Sequence, residues 1–220
     1  RAETVSTQHW QLQPPDHVQA VVSSHELATE AGHEILAAGG TAADAAIAVA
    51  ATLSVVEPWF SSALGGGTWA LYYDASTGTV TSLDGVGPIG SSATREDYAA
   101  RAGGNGIHQS IVPGAWDGWM LWLDRYGWLD LGEVLTPAIR IAREGYPVSS
   151  EMAYWLTLEA DFISSWPDSA RTYLAQGFLP GAGNIIQQPE LARTFEALVE
   201  AYEGAAPDSR EAGIQAARDY

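Results

Sequence analysis

The 220-residue chain contains no cysteine and no lysine. Without cysteine these residues offer no thiol nucleophile, no disulfide and no thiolate metal site. Without lysine there is no Gly-Lys-Ser/Thr phosphate loop and no Ser-x-x-Lys acylating pair. Basic charge is scarce altogether: ten Arg stand against 27 Asp and Glu, for a formal net charge of −17. Such a surface repels phosphate backbones and anionic headgroups, which argues against nucleic-acid and membrane-surface partners. Long apolar runs are missing too. The best candidate, Ala42 to Val56, is interrupted by Asp44, Thr52 and Ser54 and falls short of the roughly 18 residues a membrane span requires.

What is present is the material of a folded core: 46 % hydrophobic residues and nine Trp. Arg1 to Asp16 reads as an extended N-terminal arm, since Pro14-Pro15 forbids helix, and residues 17–220 read as part of a single domain. A start at Arg1 without Met, in a cysteine-free chain, leads us to expect an exported protein, secreted or periplasmic. Val18 to Val22 has strand composition, and Ser23-Ser24 are placed to cap a helix from Glu26 to Ala38. Gly39-Gly40 stop that helix, and Thr41 caps a second, Ala-rich one that runs from Ala42 to Val56 and ends before Pro58. Its small side chains suit close packing and burial. After Gly65-Gly66-Gly67, two runs with strand character, Thr68 to Tyr73 and Thr79 to Leu83, are joined by the turn Asp74 to Gly78. Helical patterns follow at Ala115 to Tyr126, Leu131 to Glu144, Ser150 to Ala160, Glu190 to Glu203 and Arg210 to Tyr220. Helices, a hairpin and then more helices give an α+β class whose strand system needs other sequence to complete it.

The chemistry-bearing motifs fail one by one. Gly85-Val86-Gly87-Pro88-Ile89-Gly90 matches Gly-x-Gly-x-x-Gly, but Pro88 and the serines that follow do not open a helix as a dinucleotide loop must. His25-Glu26 and His33-Glu34 resemble the start of a zinc-protease motif, yet Thr29 and Ala37 stand where the second His belongs. His17, His25, His33 and His108 have no ligand spacing, so no metal and no cofactor is expected. Trp116, Trp119, Trp122 and Trp128 lie largely on a helix-spaced stripe, which suits core or interface better than a ligand cage. No Gly-x-Ser-x-Gly elbow occurs, and no catalytic residue is expected within this chain.

Order and spacing point further. The stretch Ser24-His25-Glu26-Leu27-Ala28-Thr29-Glu30-Ala31-Gly32 precedes Ala38-Gly39-Gly40-Thr41-Ala42-Ala43-Asp44-Ala45-Ala46. Val55-Val56-Glu57-Pro58 and Gly65-Gly66-Gly67 come next, then Val112-Pro113-Gly114-Ala115, then Leu135-Thr136-Pro137-Ala138-Ile139 and Glu144-Gly145-Tyr146-Pro147-Val148. Together these resemble the γ-glutamyltransferase superfamily of N-terminal-nucleophile hydrolases, most closely over 18–148 and loosely over 190–203. The resemblance implies a layered αββα sandwich shared with a small subunit. It also implies a proenzyme that cleaves itself and frees a Thr at the head of that subunit, with most of the shared residues fold-forming. The large subunit of the family runs further than Tyr220.

One departure bears on specificity. Enzymes of the family carry an Arg in an Asp-Phe-Arg-Glu stretch after the hairpin, which grips the substrate α-carboxylate. An ungapped alignment sets Val86 at that place, within Asp84-Gly85-Val86-Gly87. Gly85, Val86 and Gly87 are therefore the expected substrate-binding positions, with Arg95 as a substitute cation. The resemblance implies a small-molecule amide substrate, γ-glutamyl compounds by default, with cephalosporin-like or oxamate-like amides as alternatives. A non-catalytic binding relative is the reading from another class.

Overall fold

The computed structural model describes residues 19–61, 64–100, 110–174 and 177–220. The expected arm, His17, Val18 and His108 lie outside them. Residues 19–22 form no strand. The Val21 side chain instead lies over Gly32, at the face where a helix and Val49 approach it.

That helix, α1 (Glu26–Ala37), is followed by α2 (Ala42–Val56). The cap of α1 is His25, whose Nδ1 accepts from Leu27 N at 3.2 Å. The serines expected there are used elsewhere: Ser23 Oγ donates to His25 O, and Ser24 Oγ donates to the Glu57 carboxylate. Helix α2 has the bounds its punctuation predicts. Thr41 and Asp44 form a reciprocal capping box, and ten of its residues are buried. Ala43, Ala48 and Ala51 are fully enclosed, so neighbouring helices approach α2 closely.

Around α2 pack α4 (Ala115–Tyr126) and α5 (Leu131–Glu144), with α1 beside it. Helix α9 (Pro189–Ala205) lies on α5, and α10 (Arg210–Asp219) closes the group by touching both α9 and α4. Trp119 and Trp122 are buried in this body. Trp116 donates its indole N–H to Ala217 O, whereas Trp128 leaves the stripe and is exposed. Between α5 and α9, the expected single helix from Ser150 to Ala160 is broken. Helix α6 (Ser150–Leu158) ends at Glu159, and α7 (Ala160–Ser164) and α8 (Pro167–Tyr173) follow as separate short pieces. A further short helix, α3 (Arg95–Ala100), precedes α4.

Among the described residues the strands form two small antiparallel sheets. β1 (Thr68–Asp74) pairs with β2 (Thr79–Gly85) from Thr68↔Gly85 to Asp74↔Thr79. β3 (Tyr146–Pro147) pairs with β4 (Ile185–Ile186). The hairpin rests one face on α4, where Tyr72 stacks on Tyr126 and meets Trp122 edge-on. Alternation along the strand turns Trp69, Leu71 and Tyr73 outward, and with Val80 they are exposed by 73, 75, 64 and 63 %. The fold is α+β.

Candidate functional site

The outward hairpin face ends at a knot of three turns. Gly66 O accepts from both Gly114 N and Ala115 N, at 2.9 and 3.0 Å. Val112 N donates to Pro88 O at 2.8 Å. The triple-glycine turn, the segment from Gly85 to Pro88 and the segment from Val112 to Ala115 are thus tied together through their main chains. Glycine is required there for space. A Cβ on Gly87 would stand 1.6 Å from Val112 O, and one on Gly114 would stand 2.6 Å from Gly87 N. Gly85 and Gly87 therefore serve the backbone approach directly, whatever lies beyond it.

Val86, between them, is half-buried and lays Cγ2 against Gly67. Its N–H donates to Asp84 Oδ1 at 3.2 Å. Arg95 stands apart from this trio. It lines an open cleft of about 990 Å³ with Ile89, Ser92, Thr94, Tyr98 and Val112, and Val86 is not among the lining residues. Gly85, Val86 and Gly87 thus stand together at the end of β2, and the structure does not bring Arg95 to them: it lines the adjoining cleft.

Arg95 is distinctive in its pairing. Arg140, Arg143, Arg171, Arg193 and Arg218 each sit in an ion pair. Arg210 donates to the carbonyls of Leu123 and Leu129, and Arg125 lies over the Tyr126 ring. Among the described residues Arg95 makes no such contact, in a chain whose acids outnumber its bases 27 to ten. A guanidinium left open beside a cleft can accept a carboxylate in a forked geometry.

Among the described residues two carboxylates are buried, and both belong to the stretches that carry the family resemblance. Asp44 accepts from Thr41 N, Thr41 Oγ1, Trp128 N and Leu129 N, which ties the start of α2 to the α4–α5 turn. Glu57, at the other end of α2, accepts from Ser24 Oγ at 2.6 Å. Among the described residues no third group orients that Ser–Glu pair, so it lacks the base-and-orienter chain of a nucleophile relay. At the same helix end, Gln188 Nε2 donates to Val55 O and to Tyr146 Oη. Burial pushes the Tyr146 phenol above its ordinary range, and pushes Tyr173 beside it up to about 12. Such phenols stay neutral and cannot serve as bases near neutral pH. Among the described residues no group of three or more His, Asp or Glu converges as a metal would require. None of their helices is long and apolar enough to cross a membrane.

Comparison with known proteins gives these motifs a common source. The model of the gamma-glutamyltranspeptidase family matches residues 28–206. The chain is 37 % identical over 185 residues to the glutathione hydrolase-like YwrD proenzyme of Bacillus subtilis, covering 83 % of this chain and 35 % of that protein. It is 33 % identical over 189 residues to the acylase ACY 1 proenzyme of a Pseudomonas strain, covering 80 % and 34 %. The crystal structure of the Helicobacter pylori gamma-glutamyltranspeptidase superposes with a TM-score of 0.78 at 28 % identity, over 88 % of this chain and 57 % of that one. The chain spans about a third of the length of the curated relatives it matches.

Proposed function

The chain belongs to the gamma-glutamyltranspeptidase family, and on that premise we propose that it is the large-subunit portion of a self-processing amide hydrolase or acyltransferase. The observation that carries the proposal is the glycine knot. Three separate motifs of the family match meet at one end of a hairpin whose outer face, Trp69, Leu71 and Tyr73, is apolar and uncovered in these residues. That face suits a small subunit packed over it. The nucleophile is a Thr freed at the start of that subunit. Its α-amino group takes the hydroxyl proton, Oγ attacks the amide carbonyl, and the amine leaves with a proton as the acyl-enzyme forms. Water or a second amine then takes up the acyl group. Backbone N–H donors of the small subunit's Gly-rich loop stabilise the tetrahedral oxyanion. The protein acts outside the cytoplasm, secreted or periplasmic.

This chain's share is the wall of the acyl site. Gly85 and Gly87 hold the turn, Val86 faces the acyl group where relatives with γ-glutamyl specificity carry a cation, and Arg95 is the cation across the cleft. γ-Glutamyl amides are the default substrate class. The similarity to an acylase proenzyme favours a second reading, an acylase acting on other amides.

The test uses the full polypeptide that carries this chain. Intact mass and N-terminal sequencing are expected to find two chains, the second beginning with Thr. Val86→Arg is then expected to raise the ratio of γ-glutamyl to glutaryl anilide turnover about tenfold, or about 1.4 kcal/mol. A single uncleaved chain without turnover overturns the enzyme reading. A strong native γ-glutamyl preference means that another residue, Arg95 or one in the small subunit, already binds the carboxylate. A ratio unmoved by Val86→Arg in a folded protein removes Val86 from the acyl pocket.

A further inference from the structure

Glu57 breaks a local rule. It is the C-cap of α2, where the helix dipole presents its negative end, and the last turn of α2 contains no basic residue. The side chain is only 6 % exposed. Its carboxylate has about four acceptor positions, and among the described residues it receives one donor, Ser24 Oγ, and no cation. Buried carboxylates are normally paired or saturated with donors. Asp44 meets that condition with three backbone N–H groups and a hydroxyl, at the helix end where negative charge is welcome. At the same end of α2, Gln188 Nε2 is committed to Val55 O and Tyr146 Oη.

The position matters as well. Glu57 O accepts from Phe60 N and Ser61 N, so the same residue starts the turn that leaves α2. A partner held at the Glu57 side chain therefore holds that turn as well as the helix end.

We propose that Glu57 is an interaction site, receiving a guanidinium or ammonium side chain from the part of the polypeptide outside these 220 residues. The pair locks the C-terminal end of α2, and the turn that leaves it, onto the rest of the enzyme. This rests on the proposed function only in requiring a second part, and relatives about three times as long as the matched segment supply the room for one.

Two measurements on the full, matured protein test it. A crystal structure is expected to place an Arg or Lys nitrogen within about 3.2 Å of the Glu57 carboxylate. Glu57→Gln is expected to weaken association of the two parts at least about tenfold at low salt and to flatten its salt dependence, with Ser24→Ala retaining the native salt slope. A Glu57 that meets only Ser24 and water overturns the proposal. So does a Glu57→Gln protein whose salt dependence equals that of the native one. A protein that does not cleave itself but shows the pair refutes the proposed activity and leaves this inference standing. Cleavage with an unpaired Glu57 does the reverse.

Discussion

The two ends of α2 face opposite circumstances. At its start a buried carboxylate, Asp44, is surrounded by donors from Thr41 and from the turn at Trp128 and Leu129. At its finish another, Glu57, has one hydroxyl. The first end lies inside a closed body formed by α1, α4 and α5, and everything that satisfies it belongs to this chain. At the second, Gln188 and Tyr146 close over the main chain of Val55, but among the described residues only Ser24 answers the carboxylate. The helix thus runs from an end whose carboxylate is saturated with donors to one whose carboxylate is not.

Asp44→Ala should break the self-sufficient end most severely. It leaves several buried donors unpaired at once, and we expect a loss of about 3–5 kcal/mol, read as a lower urea midpoint of the full protein. A loss under about 1 kcal/mol would mean water can replace the carboxylate and that this end is not sealed. Gly87→Ala probes the glycine knot. The new methyl would collide with main chain at Val112, and overpacking of this kind costs about 1–3 kcal/mol. Turnover should fall more than stability if the knot shapes the site, so both are measured on one preparation.

The smallest expected effect is also the most specific, and it concerns the phenols behind Gln188. Tyr173, pushed up to about 12 by burial, is held neutral in the folded state, whereas the unfolded chain releases the same proton near pH 10. A raised folded-state value means the stabilisation is complete below pH 10 and drains away as pH climbs toward 12. Tyr173→Phe should therefore change the urea midpoint little at pH 8 and slow its decline over that alkaline window. A decline identical to that of the native protein would show the Tyr173 phenol to be open to water.

Much of the closed half was legible in sequence. The bounds of α2, α4 and α5 follow from punctuation a reader can see: Gly39-Gly40 and Thr41 before α2, Pro58 after it, Gly127 and Gly145 after α4 and α5. Local rules sufficed because local groups satisfy those helix ends. They failed where the satisfying partner is distant in sequence. Ser24 looked like a cap, but its hydroxyl goes to Glu57, so His25 caps α1 instead. The ladder between Tyr146–Pro147 and Ile185–Ile186 joins segments too short to show any period. The break at Glu159 carries no Gly or Pro, although Pro167 at the first position of α8 was a readable start. For the candidate site, each glycine motif was visible by itself. Their meeting was not, and neither was the imbalance between Asp44 and Glu57, since both depend on which main-chain atoms come within reach after folding.

The glycine knot also constrains how such a chain can change over generations. Three turns that touch main chain to main chain cannot acquire side chains independently, because a methyl at Gly87 or Gly114 is blocked by the backbone of the other turn. Substitutions there are tolerable only in concert, which makes them rare steps. Val86, Ile89 and Arg95 present side chains around the knot without forming it, and each can be exchanged singly. New specificities in proteins of this build should therefore arise by variation at those positions, on turns that cannot drift.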